Sequence, residues 1–439
     1  MGLFTFKGGI HPNDGKSLAK DQPIKVLTAG KELVFPLSQH IGAPAKALVK
    51  KGDQVLKGQM IAEAGGFVSA PVFSSVSGTV KGIEKRFNPT GTKVDCIIIE
   101  NDEEYNEVEY TENKALVVLS REELADIIGN AGIVGMGGAG FPTKVKLSPK
   151  EPDKIEYIIA NCAECEPYIT ADYRRMIENP HELVSGMRIL LHMFPKAKGI
   201  FGIEDNKMDC VKILNDAIKD EERMSVMALK TKYPQGSERQ LIYATTKRAI
   251  NSTMLPADAG CIVDNVETLI AIHNAVINGK PLMERVMTVS GDAVENPGNF
   301  KVPLGISHRE VVEAAGGFKT TPEKVISGGP MMGFAMLSTD VPVTKTSSSI
   351  LGFTEDEVVK NEPSACINCG RCVEVCPSRI IPSRLADYAE RHDEESFVAL
   401  NGLECVECGS CSYVCPAKRH LKQSIGGMKR IAICNRKKK

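Results

Sequence analysis

The sequence predicts a multidomain chain of mixed β and α/β class that ends in a cysteine-rich module of short helices. Three observations carry this. The length of 439 residues exceeds what one hydrophobic core usually serves. The apolar pattern changes character along the chain, from short alternating runs to strand-like and helix-like segments in turn. Eight of the 14 cysteines fall in two short runs between Cys366 and Cys415.

Composition sets the outer bounds. With 54 Lys plus Arg against 55 Asp plus Glu, the net charge of -1 leaves no broad electrostatic footprint for nucleic acid. Hydrophobic residues at 42% and charged residues at 25% describe a folded chain. Trp is absent and aromatics are 5%, which argues against a surface that stacks bases or sugars. No apolar run approaches the ~20 residues of a membrane span. Met1 to Lys20 carries no signal-peptide core, and Phe6 stands where myristoylation needs Ser or Thr. The expectation is a soluble chain in a reducing compartment that keeps its thiols for metal.

The elements follow in order. Residues 1–25 are polar and rich in Gly and Pro, an extended arm. Residues 34–99 alternate over short runs broken by Gly and Pro, as in Ala47-Leu48-Val49 before Gly52-Asp53, and read as a small β-barrel or sandwich. Residues 102–113 are an acidic linker. Arg121 to Asn130 is helical after the N-cap Ser120. Ile155 to Ala160 and Gly199 to Ile203 read as strands, and His181 to Phe194, Asp209 to Ile218 and Val263 to Asn278 as helices. This alternation argues for an α/β sandwich. Glu284 to Leu337 returns to short strands with one helix near Arg309 to Ala314, a small α+β module. Thr344 to Ser349 reads as a Ser/Thr-rich linker.

The cysteine runs carry the most specific chemistry. They are Cys366-x2-Cys369-x2-Cys372-x3-Cys376-Pro377 and Cys405-x2-Cys408-x2-Cys411-x3-Cys415-Pro416. This is the spacing of bacterial-type [4Fe–4S] ferredoxins, in which the fourth cysteine of each run ligates the other cluster. Cluster one is therefore assigned to Cys366, Cys369, Cys372 and Cys415, and cluster two to Cys405, Cys408, Cys411 and Cys376. Zinc favours two CxxC pairs or Cys/His mixtures, and the only nearby histidine is His420. Two adjacent cubanes imply an electron wire, which needs a donor and an acceptor.

A glycine loop, Gly135-Met136-Gly137-Gly138-Ala139-Gly140-Phe141-Pro142-Thr143, is the second signal. It is a weak dinucleotide fingerprint, because a helix precedes it where that motif needs a strand. Pro142 suits the first position of a following helix. Consecutive glycines let backbone N–H groups converge on phosphate or lie flat against a ring system.

This loop with Lys146 resembles the flavin loop of the NADH-oxidising, FMN-bearing subunit of respiratory complex I. Asn161-Cys162-Ala163-Glu164-Cys165-Glu166-Pro167 is similar to that family's Asn-Ala-Asp-Glu-Ser-Glu-Pro, and Asp264-Asn265-Val266-Glu267-Thr268 to its Asn-Asn-Val-Glu-Thr. With Gly8-Gly9-Ile10-His11-Pro12, the Gln39-His40-Ile41-Gly42-Ala43-Pro44-Ala45 segment and the two cysteine runs, roughly residues 5 to 430 resemble the RnfC subunit of the Rnf ion-translocating electron transport complexes.

The resemblance implies a barrel-sandwich hybrid over 1–115 and an α/β flavin/NADH-binding domain over 116–283. It further implies a β-grasp (soluble-ligand-binding) module over 284–343, a helical ferredoxin-like two-cluster domain over 355–430 and a basic tail over 431–439. The barrel is of biotinyl/lipoyl type, but no lysine lies between Gly58 and Val80, so it is read as a docking scaffold without a carrier role. FMN would meet Gly135, Gly137, Gly138, Gly140, Phe141, Asn161, Glu164, Gly236 and Glu238, with its phosphate at Asn265 and Thr268. Glu166 would face NADH, and Lys146, with Lys144 as the alternative, would neutralise anionic charge. Met136 stands where the family carries Arg. Asp264 stands where it carries Asn, and is expected to turn away and cap the next helix.

The implied function is a peripheral subunit on the cytoplasmic side of the bacterial membrane. It would exchange hydride with NAD(H) at FMN and relay electrons through two [4Fe–4S] clusters, with an iron–sulfur subunit accepting or donating them, within a complex coupling ferredoxin and NAD to ion movement. Alternatives are a soluble flavin/iron–sulfur reductase, such as a microcompartment cobalamin reductase, and a non-catalytic two-cluster adaptor. Cys162 and Cys165 are expected to pack rather than bind metal, and the terminal Arg-Lys-Lys-Lys to be a solvated tail.

Overall fold

A computed structural model of the chain describes residues 4–112 and 118–436. The predicted N-terminal arm is extended but packed: Phe6 and Ile10 are buried, and one tight turn spans Lys16–Leu18. The arm ends in β1 (Ile24–Val26). The barrel follows from β2 (Glu32–Pro36), β3 (Lys46–Ala47), β4 (Gln54–Val55), β5 (Met60–Glu63), β6 (Val72–Phe73), β7 (Gly78–Phe87) and β8 (Lys93–Asn101). They form a four-stranded sheet of order β2-β8-β7-β4 and a three-stranded sheet of order β3-β5-β6. Leu33, Phe35, Val55, Ile61, Val80, Ile97 and Ile99 from both sheets share one core, which is why this stretch reads as alternating.

The α/β part opens on α1 (Arg121–Asn130), whose Ser120 and Glu123 form a reciprocal capping box. A short α2 (Thr143–Lys146) follows the glycine loop; Pro142 sits just before it, at the N-cap, one position earlier than expected. The parallel sheet has order β11-β10-β9-β12, from β9 (Tyr157–Cys162), β10 (Lys198–Glu204), β11 (Met224–Leu229) and β12 (Cys261–Asn265). The helices are α3 (Ala171–Glu178), α4 (Pro180–Met193), α5 (Met208–Ala217), α6 (Glu238–Thr246) and α7 (Val266–Ile277). Helices α4 and α7 belong to the main core. Helix α6 packs with Ile159, Leu229 and Val263 in a smaller one, so the central strands are covered on both faces. The helix expected from Val263 begins at Val266, because Cys261–Asn265 is the edge strand β12.

The third module departs most from expectation. Its strands β13 (Glu284–Ser290), β14 (Gly298–Pro303), β15 (Lys324–Ser327) and β16 (Phe334–Ala335), with α8 (His308–Ala314), lie where the sequence puts them. The sheet, however, has six strands in the order β1-β14-β13-β17-β15-β16. The arm supplies β1 at one edge, and β17 (Ser349–Phe353) inserts between β13 and β15. The segment 344–349 is therefore no linker: Thr344, Lys345, Ser347 and Ser349 are buried, and the module runs to residue 353 rather than 343. Composition misled here, since small hydroxyl residues serve close packing as well as they serve solvent.

The cysteine-rich module holds α9 (Glu357–Lys360), α10 (Arg371–Glu374), α11 (Pro382–Glu390), α12 (Glu394–Ala399), α13 (Ser410–Tyr413) and α14 (Leu421–Arg436). Its two cysteine runs repeat the same backbone: Asn368, Gly370 and Arg379 in the first, and Glu407, Gly409 and Lys418 in the second, all take left-handed φ. Residues 431–436, expected in a basic tail, continue α14, and 437–439 lie outside the described residues.

Candidate flavin and cluster sites

The glycine loop is a pinched hairpin. Gly135 N–H donates to the Phe141 carbonyl (2.8 Å), and Val134 bridges Pro142. From below, the Thr268 hydroxyl accepts the Met136 N–H (3.0 Å); from the side, Arg285 of β13 donates to the Met136 carbonyl (3.1 Å). Gly137, Gly138 and Ala139 are left facing open space. A Cβ at Gly137 would meet Asn265 at 2.9 Å, so glycine there allows the loop to lie on the start of α7.

A second wall is the turn after β9. Asn161 donates from its side-chain amide to the Gly236 carbonyl (2.8 Å), and Gly236 N–H donates to the Cys165 sulfur (3.2 Å). Glu164, held at a φ of 46°, accepts the Asp172 N–H through Oε1 (2.7 Å), while its buried Oε2 accepts no hydrogen bond. Glu166 accepts from the Met331 N–H (3.1 Å) and lies 3.3 Å from the Tyr233 hydroxyl. Burial pushes both carboxyls up. Lys16 and Lys207 oppose that at Glu164, and the Met331 N–H and Tyr233 hydroxyl oppose it at Glu166. Asp172 is pushed up to about 7 by desolvation and by the charges of Glu164 and Glu267.

The third wall is the β12–α7 junction. Asn265 caps α7 through its contact with the Glu267 N–H (2.9 Å), and its amide donates to Asp172 (2.7 Å). The cap is thus Asn265. Asp264, expected to take that role, instead pairs with Lys146 (2.9 Å), whose ammonium also reaches the Val263 carbonyl (2.7 Å). Burial alone would push the Lys146 ammonium down, but Asp264 and Glu238 outweigh it and hold it above its ordinary value. Lys144 points elsewhere, to Asp126. Thr268 is fully buried under the loop, where it anchors Met136 and does not line the cavity. Glu238 opens α6 as an exposed residue on the cavity lining, and desolvation raises its pKa.

These walls enclose a cavity of about 2300 Å³ lined by Gly135 to Phe141, Lys146, Asn161, Glu164, Glu166, Gly236, Glu238 and Asn265. That exceeds the ~300–1,000 Å³ of a single drug-sized ligand, leaving room for a flavin and a dinucleotide together. The loop's bare glycines and the unmet Glu164 Oε2 fit a flat, hydrogen-bonding ring system. Among the described residues Lys16, Asp172, Arg285 and Tyr233 also shape the site, and sequence reasoning missed all four. Arg285, a cation beside the apolar Val286-Met287 of its strand, was the one visible signal. Its guanidinium stands by the loop where Met136 removed a cation.

The structure gathers Cys405, Cys408, Cys411 and Cys376: the Cys411 thiol feels the other three as electrostatic neighbours. Cys372 is buried, Cys366 and Cys415 are half-buried and Cys369 is exposed. Among the described residues no three of them converge on one point as ligands of a single ion would. The second run packs against residues of the cavity wall. Tyr233, almost fully buried, donates its hydroxyl to the Cys408 carbonyl (2.7 Å), Arg239 pairs with Glu404 (2.9 Å), and Lys422 donates to the Met331 carbonyl (3.0 Å). Cys162 sits in the hydrophobic core and Cys165 lies against Gly236.

Family models match four stretches: the RnfC barrel sandwich hybrid domain over residues 4–104, the Nuo51 FMN-binding domain over 128–274, the SLBB domain over 286–335 and the 4Fe-4S dicluster domain over 365–418. The fold class read from the sequence is therefore correct in all four parts. The chain is 43% identical to the C subunit of the Na(+)-translocating ferredoxin:NAD(+) oxidoreductase complex of Acetobacterium woodii, over 99% of this chain and 98% of that one. It is 44% identical to the proton-translocating counterpart of Clostridium ljungdahlii, over 88% and 84%. It is 39% identical to the C subunit of the ion-translocating oxidoreductase complex of Vibrio cholerae, over 89% of this chain and 51% of that longer one. With near end-to-end identity of this order, the chain belongs to the RnfC family of Rnf complex subunits.

Proposed function

We propose that the chain is the NADH/FMN/iron–sulfur subunit of a membrane complex that couples electron transfer between ferredoxin and NAD to ion movement. The observation that carries this is the shared wall. Tyr233 lines the cavity and also hydrogen-bonds the backbone of a cluster-two cysteine, so the two redox sites are joined through one side chain. When bound, FMN turns a two-electron hydride transfer into single-electron steps, and thiolate-held [4Fe–4S] clusters carry those electrons onward.

The chain's own residues supply binding and orientation. The backbone of Gly135, Gly137, Gly138 and Gly140, with Phe141, would hold the flavin together with Asn161, Glu164, Gly236 and Glu238, and Asn265 at the start of α7 would take its phosphate. Glu166 faces the nicotinamide nucleotide. Lys146 acts with Asp264 as a neutral pair, so its role is to fix the loop end rather than to add net positive charge. Thr268 acts through Met136. Cys405, Cys408, Cys411 and Cys376 hold the cluster next to the cavity. Cys366, Cys369, Cys372 and Cys415 hold the outer one, where exposed Cys369 and Ile367 give a partner iron–sulfur subunit access.

Among the described residues no helix is long and apolar enough to cross a membrane. Ion movement is accordingly assigned to partner subunits, with this chain peripheral on the cytoplasmic side. The test is anaerobic iron, sulfide and flavin analysis followed by EPR after NADH addition. About eight irons with one flavin, and a cluster signal produced by NADH, are expected. Two zinc atoms, or clusters that NADH cannot reduce, would sink the reading.

A further inference from the structure

The N-terminal arm does more than cover the seam between modules. Gly9 N–H donates to the Val375 carbonyl (2.8 Å), beside cluster-two ligand Cys376, and Ile10 exchanges two backbone hydrogen bonds with Tyr233 (2.9 Å each). The arm then reaches the acidic turn, where Asp14 accepts the Tyr168 N–H (2.6 Å) and Gly15 lies against the Tyr168 ring. From the tight turn that follows, Lys16 extends inward. Its ammonium donates to the Glu166 carbonyl (3.0 Å) and the Ile169 carbonyl (2.5 Å) and stands 3.8 Å from Glu164 Oε2.

Two backbone carbonyls accept hydrogen bonds from this ammonium, and the Glu164 carboxylate stands beside them at ion-pair distance. The turn needs such a clamp, because Glu164 and Tyr168 both hold left-handed φ, which non-glycine side chains disfavour. The turn also carries Glu164 and Glu166, two of the acidic residues that line the cavity. Lys16 is buried, and the charged and titratable groups around it are Glu164, Glu204, Lys207 and Cys165. Lys207 holds the neighbouring Ala163 carbonyl (2.8 Å) but is shared with Glu204 and Asn206. Lys16 is the ammonium beside Glu164 Oε2.

We propose that Lys16 is a positioning residue of the redox site, its ammonium clamping the 164–169 turn and setting the aim and charge of Glu164, so that the arm is part of the flavin environment. This rests on the reading of the cavity as the flavin and nicotinamide site. A buried positive charge behind a cavity-facing carboxylate favours electron density in the cavity. Its loss therefore lowers the flavin midpoint potential and slows reduction by NADH.

The test uses the full chain with clusters and flavin loaded. Lys16→Met removes clamp and charge, Lys16→Gln keeps hydrogen-bond donors without charge, and Lys16→Arg keeps both. Flavin content, flavin midpoint potential and the rate of flavin bleaching by NADH are measured for each. Lys16→Met and Lys16→Gln are expected to shift the potential down and lower kcat/KM for NADH about tenfold, the size of one lost charged hydrogen bond, with Lys16→Arg recovering most of both. Failure of the first two to fold while Lys16→Arg folds would also count for the clamp. Wild-type potential and rate in Lys16→Met, or equal damage in Lys16→Arg, would overturn it. A wild-type chain that binds no flavin would instead overturn the underlying reading of the cavity.

Discussion

Around the cavity, polar side chains are committed to protein partners: Lys146 to Asp264, Asn265 to Asp172, Thr268 to Met136, and Arg285 to the Met136 and Lys345 carbonyls. In the cysteine-rich module the chemistry-bearing groups are themselves part of the core. Cys372, Cys376 and Cys411 pack with Leu385, Phe397, Leu421 and Ile425, and short helices connect turns of left-handed residues. One site is held by protein–protein contacts and shares a large core. The other has a small core of which the cysteine sulfurs are themselves a part. The two are expected to respond differently to loss of their cofactors, since a module that lacks enough apolar surface draws stability from metal binding.

The largest effect should come from breaking the metal side. Removing iron by anaerobic chelation, or Cys408→Ser, is expected to abolish hydrogen-exchange protection in α11 and α14 while the parallel strands β9 to β12 stay protected. Equal protection in both regions would erase the contrast.

Next comes Asp172, whose folded-state pKa of about 7 lies above its ordinary 3.8. Between those values the unfolded chain releases the proton and the folded chain keeps it. Stability therefore falls as pH rises from about 4 to 7 and levels off above, at about 1.4 kcal/mol per unit of displacement. Asp172→Asn should flatten that slope in flavin-free protein, read as melting temperature against pH. An unchanged slope would remove Asp172 from the account.

A smaller loss, about 1–3 kcal/mol, is expected for Thr268→Val, which leaves the buried Met136 N–H without an acceptor. Weaker flavin binding should accompany it, whereas unaltered affinity would mean that the loop holds its shape unaided. The smallest effect belongs to Lys144→Ala. Its exposed pair with Asp126 is worth about 0–1 kcal/mol, and flavin content should not move. A loss of flavin there would return Lys144 to the role given to Lys146.

The same contrast explains what the sequence could reveal. Cluster ligands lie three or four residues apart, so their spacing is written locally, and the capping box of Ser120 with Glu123 is equally local. The glycine loop and the 161–167 turn were legible as segments, but their mutual wiring was not. Lys16 meets Glu166, Arg285 meets Met136 and Lys345 meets Pro71 and Gly132, each across a long stretch of chain and without periodicity to announce it. Lys345 shows the limit most plainly. In sequence it is a cation among Ser and Thr, which suggests solvent; in the fold it is buried beneath three segments, and desolvation pushes its ammonium down to about 7. Sheet edges behave the same way: β1 and β17 are too short to declare which strands they will join.

The strap formed by Gly9, Ile10 and Lys16 also bears on how the molecule is made. A ribosome delivers these residues long before one of their partners, the Val375 carbonyl, which emerges only after the flavin-binding half has been synthesised. The Gly9 end of the strap consequently waits for its partner until the cysteine-rich module is translated. Maturation of the cysteine-rich end thereby becomes a checkpoint on the completion of the other.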